Sequence, residues 1–227
     1  MSSGNQILFT VLPYVAVVLA VVVSVSRFLR NRYSYSSLSS QFLENGTLFP
    51  GSLSFHYGLL VVLAGHLIGL LFPRQMMTFN IVPTRLFILE STSLAFALLT
   101  LVGLVLLIVR RGTSARVRAV TSRWDVVLLA LLLVQVATGI HTAIFYRWGS
   151  AWYVHTAVPY LWSLVRLDPR PQLVAGLPLI VRLHMISAFV LIGVIPFTRL
   201  VHFLVVPIPY LWRPYQVVAW RRRLAGR

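Results

Sequence analysis

The sequence predicts an all-α integral membrane protein: five transmembrane helices in a bundle, N-terminus outside and C-terminus cytoplasmic, forming a single domain over residues 1–227. Three observations predict it. Of the residues, 58% are hydrophobic and 11% charged, and mean hydropathy is +0.84; a soluble domain is roughly 45–50% apolar and about 25% charged. Five apolar stretches are each long enough to cross a hydrocarbon core of about 30 Å. The basic residues, all arginine, cluster unevenly between those stretches.

In chain order, Met1 to Gln6 is polar and lacks the basic start of a cleaved signal peptide. The first span, about 7–25, has Pro13 near its start, where a helix tolerates proline. Arg27, Arg30 and Arg32 follow, then a polar loop from Ser34 to Pro50. The second span, 53–72, stops at Pro73-Arg74; a short loop with Pro83 and Arg85 leads to the third, 86–109, whose one charge is Glu90. The densest basic loop, Arg110 to Arg123, precedes the fourth span, 126–146, with Gln135 and His141 inside. Trp148 to Leu179 mixes aromatics suited to the membrane interface (Trp148, Trp152, Tyr153, Tyr160, Trp162) with Pro159, Pro169, Pro171 and Pro178, which interrupt it. The fifth span is 183–206, and a tail with Trp212 and Arg221-Arg222-Arg223 ends the chain.

Five spans put the termini on opposite sides. The segments after spans 1, 3 and 5 carry most of the arginines, so the positive-inside rule places them in the cytoplasm of a multi-pass protein of the cell membrane. The net charge of +16 is then explained by topology and by anionic lipid headgroups, with no nucleic acid as partner. Without cysteine there is no disulfide, iron–sulfur cluster, thiolate-ligated haem or covalently attached haem in this chain.

Four of the six histidines lie in two spans, His56 and His66 in the second and His184 and His202 in the fifth. Histidine is costly in hydrocarbon and marks function there. Antiparallel packing pairs His66 with His184 toward the outside, and His56 with His202 toward the cytoplasm. Two imidazoles at one depth on facing helices suit bis-His ligation of haem iron; zinc would want further ligands. The alternative is histidines that bond neighbouring helices or relay protons. Straight helices fit the pairing imperfectly: His56 and His66 are separated by roughly 15 Å of rise, His184 and His202 by roughly 27 Å, a mismatch that tilt or a kink at Pro196 must absorb. Arg199, one turn before His202, needs a partner, which a haem propionate or the headgroups would supply. Gly58, Gly65 and Gly69 admit either a flat macrocycle or a close helix. His141 and His155 read as interfacial or internally satisfied.

With these residues, the sequence closely resembles the gamma subunit, the membrane cytochrome b, of respiratory nitrate reductase. The matching runs include LPYVAVV, SSQFL, FHYGLLVVLAGHLIG, SARVRAVTSRWD, VRLHM and PFTRLVHFLVVPIPYLWRPYQ. The resemblance implies two b haems, His66 and His184 holding the outer and His56 and His202 the inner. It implies quinol oxidation near the outer haem, beside Gly65. It also implies an iron–sulfur subunit and a molybdenum catalytic subunit as partners on the cytoplasmic side. Where the family has a quinone-contacting Lys near the start of span 3, this chain has no lysine, and Arg85 is the candidate substitute. A related quinol cytochrome for another terminal reductase, or a haem-free transporter or scaffold with histidine relays, are the other readings.

Overall fold

The computed structural model describes residues 3–31, 35, 43 and 46–205. Arg32, most of the polar loop 34–50, Val206 and the arginine-rich tail lie outside the described residues. Among those described there is no strand, and five helices are long and apolar enough to cross a membrane. They are α1 (Gly4–Arg30), α2 (Leu48–Leu71), α3 (Pro83–Thr113), α4 (Arg123–Phe145) and Leu179–Phe197, of which Leu179–Val194 is α-helical and is called α5.

α1 begins earlier than the sequence suggests, so Pro13 sits inside the helix. Proline has no N–H to give the Phe9 carbonyl one turn back. The chain answers in two ways. Residues Ile7–Val11 widen into a π turn, in which the Leu12 N–H bonds Ile7. The Phe9 carbonyl takes its hydrogen bond from the Tyr160 hydroxyl, 2.9 Å away.

The helices form a curved row. α2 packs along α3, α3 along α4, α4 along α5, and α5 along α1, with no comparably close packing between α2 and α5. The α2–α3 crossing is the tightest. A Cβ on Gly103 would lie 2.7 Å from both the Gly51 carbonyl oxygen and the Phe55 Cα. One on Gly58 would lie 2.6 Å from the Phe96 carbonyl oxygen. Gly58 therefore serves helix packing, and Gly69 faces the Tyr153 ring.

The fifth span is not one helix. Pro196 cannot donate to the Ile192 carbonyl, which takes the Ile195 N–H instead. A 3-10 turn, Ile195–Phe197, follows; the backbone is extended at Thr198, and a second 3-10 segment, Arg199–Val205, carries His202. The Pro196 carbonyl accepts a hydrogen bond from the Arg27 guanidinium of α1, which ties the break to the neighbouring helix. The rise expected of a straight helix between His184 and His202 therefore does not apply.

The segment between α4 and α5 is more buried than its aromatic content suggests. It contains short helices at Gly149–Trp152, Val158–Val165 and Gln172–Ala175, with a π turn at Tyr153–Ala157. Tyr160 is fully buried in a core cluster with Phe9, Ala16, Leu164, Val174 and Phe189. Trp162 Nε1 donates to the Leu70 carbonyl at the end of α2, and Tyr14 Oη donates to that of Leu164. Glu90 anchors the segment's start by accepting from the Trp148 N–H at 2.9 Å and from the Ser150 N–H and hydroxyl at 3.0 Å.

Because α2 and α3 meet backbone to backbone, Gly103→Ala is expected to force them apart at a cost of about 2 kcal/mol. Thermal unfolding of the detergent-purified protein should show a lowered midpoint, whereas Gly65→Ala, with nothing within 4 Å of its Cβ position, should leave it unchanged.

Candidate functional site

The two histidine pairs expected from the sequence come together. The ring centroids of His66 and His184 are 6.4 Å apart with planes at 38°, and those of His56 and His202 are 6.2 Å apart at 70°. The pairs occupy opposite ends of the bundle. His56 and His202 share theirs with the end of α3 and the start of α4, through Arg111, Asp125 and Arg199. His66 and His184 share theirs with the segment after α4, through Tyr153, whose hydroxyl donates to the His66 carbonyl at 3.0 Å. Burial pushes that phenol up to about 12, so it stays a donor at physiological pH.

Each imidazole spends its Nδ1 in the same way. His56 Nδ1 lies 2.7 Å from the Ser52 carbonyl, His66 Nδ1 2.8 Å from that of Val62, and His202 Nδ1 2.6 Å from that of Arg199. His184 Nδ1 lies 3.0 Å from the Gln135 carbonyl. A carbonyl only accepts, so every Nδ1 carries a proton, and in the neutral ring Nε2 then keeps its lone pair. That is the tautomer a metal needs at Nε2. At His184 the Gln135 amide nitrogen stands 3.2 Å from Nε2 and would yield that lone pair to a metal.

Each pair would hold a metal ion between its two imidazoles. A metal about 2.0 Å from one nitrogen of each ring sets ring centroids about 6 Å apart, close to both observed spacings. Among the described residues no group of three or more His, Cys, Asp or Glu could hold a metal, so each pair could offer a metal two protein ligands.

Arg199 has a partner inside the chain. Its Nε and Nη2 grip both oxygens of Asp125 at the start of α4, the Nη2 bond being 2.9 Å, and Arg111 of α3 reaches the same carboxylate at 3.1 Å. Asp125 is 3% exposed and also closes a capping box with Ser122. Sequence reasoning offered Arg199 a propionate or the headgroups and missed Asp125. The signal was there: Ser122 with an acid three residues on is a helix-start pattern.

The remaining expected residues lie apart from one another. Gly65 has open space beside His66. Arg85, exposed in the first turn of α3, lies over the Phe79 ring, 5.8 Å from its centroid. His141 stacks near Phe145 and has a buried Nδ1 without a hydrogen bond; His155 lines a small cavity with Met77, Asn80, Ile81, Ala151 and Val154.

A five-span bundle that pairs histidines from two of its helices at two levels defines a class: membrane proteins with paired imidazole sites. The relatives make this particular. The family model described as "Nitrate reductase gamma subunit" matches residues 5–221. The nitrate reductase gamma chain of Bacillus subtilis (strain 168) is 30% identical, over 97% of this chain and 99% of that one. The respiratory nitrate reductase 1 gamma chain of Escherichia coli (strain K12) is 33% identical, over 96% and 98%. A nitrate reductase-like protein of Mycobacterium tuberculosis (strain ATCC 25618 / H37Rv) is 32% identical over 97% of this chain and 34% of that longer protein. The chain belongs to the nitrate reductase gamma subunit family. It is a membrane, electron-transfer subunit of a nitrate reductase complex, and its partners are the other subunits of that complex.

Removing the Asp125 carboxylate leaves two partly buried guanidinium groups facing each other. Asp125→Ala is expected to cost about 3 kcal/mol and to lower the thermal midpoint in detergent, with Arg199→Ala costing less because Arg111 still satisfies the acid.

Proposed function

We propose that this chain is the di-haem b subunit that oxidises quinol for its nitrate reductase complex. In this reading His66 and His184 hold the outer haem and His56 and His202 the inner. Electrons pass to an iron–sulfur subunit and on to a molybdenum catalytic subunit, both docked on the cytoplasmic side of the cell membrane. The observation that carries the reading is the pairing itself: four imidazoles, each with Nδ1 donating to a carbonyl, meeting two by two at the spacing an axial metal requires. Bound there, b-type haems would supply one-electron carriers at two depths.

The chain's own residues give each end a distinct task. Beside His66 the bare backbone of Gly65 leaves room for a flat quinol headgroup. Arg85 is the candidate for a polar contact to it. Oxidation of quinol to quinone releases two electrons and two protons; with the protons leaving outward and the electrons inward, each charge works against about 2.3 kcal/mol per 100 mV. Arg199 grips Asp125 and so holds the His202 segment, and it is also the candidate to reach a propionate of the inner haem. The exposed Arg116, Arg118 and Arg123 around the His56–His202 end suit a cytoplasmic location, where partner subunits would dock.

The test is a haem count beside two assays. A reduced-minus-oxidised spectrum of the wild-type complex should show two b-type haems. His66→Ala should remove one of them and bring quinol-driven nitrate reduction to background, while a dye that reduces the partner subunits directly still drives it. Retained quinol-driven activity with one haem missing would refute the assignment of the outer site. For orientation, the cysteine-free chain allows a single Arg118→Cys to be labelled: a membrane-impermeant thiol reagent should reach it only from the cytoplasmic side of oriented vesicles.

A further inference from the structure

We propose that α4, which supplies no ligand, tunes the outer haem: Thr138, with Gln135 and Gly139, forms a cradle that fixes the His184 imidazole and holds the potential of its iron down. The proposal rests on the di-haem reading above.

Three observations on one helix carry it. His56, His66 and His202 satisfy Nδ1 within their own helix or segment, three or four residues back, the Ser52 hydroxyl also lying 3.2 Å from His56 Nδ1. His184 instead turns to a neighbouring helix, where its Nδ1–H is shared between the Gln135 carbonyl at 3.0 Å and Thr138 Oγ1 at 3.1 Å. Thr138 gives its own proton to the Val134 carbonyl, 2.7 Å away, so its oxygen is left to accept from the imidazole. One residue further, Gly139 lies flat under the ring: a Cβ there would sit 2.9 Å from His184 Cε1. The Ser187 hydroxyl, one turn after His184, holds the Gln135 side chain through its carbonyl oxygen.

The chemistry follows from the second acceptor. An acceptor on Nδ1–H makes Nε2 a stronger donor to the metal, which favours the ferric over the ferrous state and lowers the potential. Thr138 is thus a positioning residue that acts through His184, and Gly139 is the only residue type that lets the ring lie where both acceptors reach it.

The test uses the whole complex in membranes, with a redox titration that resolves the two haems and the ferric electron paramagnetic resonance signal of each. Thr138→Val keeps the shape and removes the acceptor. It should retain both haems, raise the outer potential and leave the inner one unmoved, with Thr138→Ser restoring the wild-type value. Gly139→Ala should displace the ring, changing or abolishing the outer haem's ferric signal alone. Thr138→Val with both potentials at their wild-type values, or with equal shifts in both, overturns the proposal. So does a Gly139→Ala protein with an unaltered outer signal. The underlying reading fails in a different way: His184→Ala that keeps both haems, or a wild-type complex that binds none.

Discussion

Inside hydrocarbon a polar group must find its partner within the protein, because no water is there to serve. Most of the less regular features of this chain answer that demand. Pro13 strips a partner from the Phe9 carbonyl, and Tyr160 is drawn into the core to replace it. The end of α2 leaves the Leu70 carbonyl open, and Trp162 closes it. Two arginines at the other end of the bundle converge on a single buried acid. The four imidazoles obey the same rule: each gives Nδ1–H to a carbonyl, and that choice fixes which nitrogen is left for chemistry.

α4 has a larger part in this than its composition suggests. At its start, Asp125 grips Arg199, whose own carbonyl holds the His202 ring. Three to four turns on, its backbone and Thr138 hold the His184 ring. A helix outside both histidine pairs thus sets the position of both histidines of the fifth span. This matters because that span is broken at Pro196, and a broken span cannot keep its two halves in register by its own hydrogen bonds.

The sequence made the architecture legible because hydropathy and histidine placement are one-dimensional signals. Five spans, their antiparallel order and the partners of His56 and His66 all follow from position along the chain. What it hid were interactions between helices. Asp125 stood just outside the assumed start of the fourth span, and nothing local says that it would meet an arginine 74 residues later. Tyr160 and Trp162 looked interfacial because their composition fits a membrane boundary; only their carbonyl partners on α1 and α2 reveal a structural task. Gly58 and Gly65, alike in sequence, part ways in space, one pressed against α3 and the other open. A kink at Pro196 was foreseeable, but its conversion into two 3-10 segments was not.

The curved row of helices has a consequence for biogenesis. α2 is fastened mainly to α3, while α5 is fastened to α4 and α1, so the two histidine-bearing strips belong to halves joined chiefly through the α3–α4 seam. Whatever the imidazoles grip would bridge those halves directly, acting as a rivet across the mouth of the arc. By mass action, such a rivet adds its binding free energy to the closed form alone. Maturation of the subunit and loading of the proposed haems would then be one thermodynamic event, with the unloaded chain the more open to being splayed and cleared by proteases.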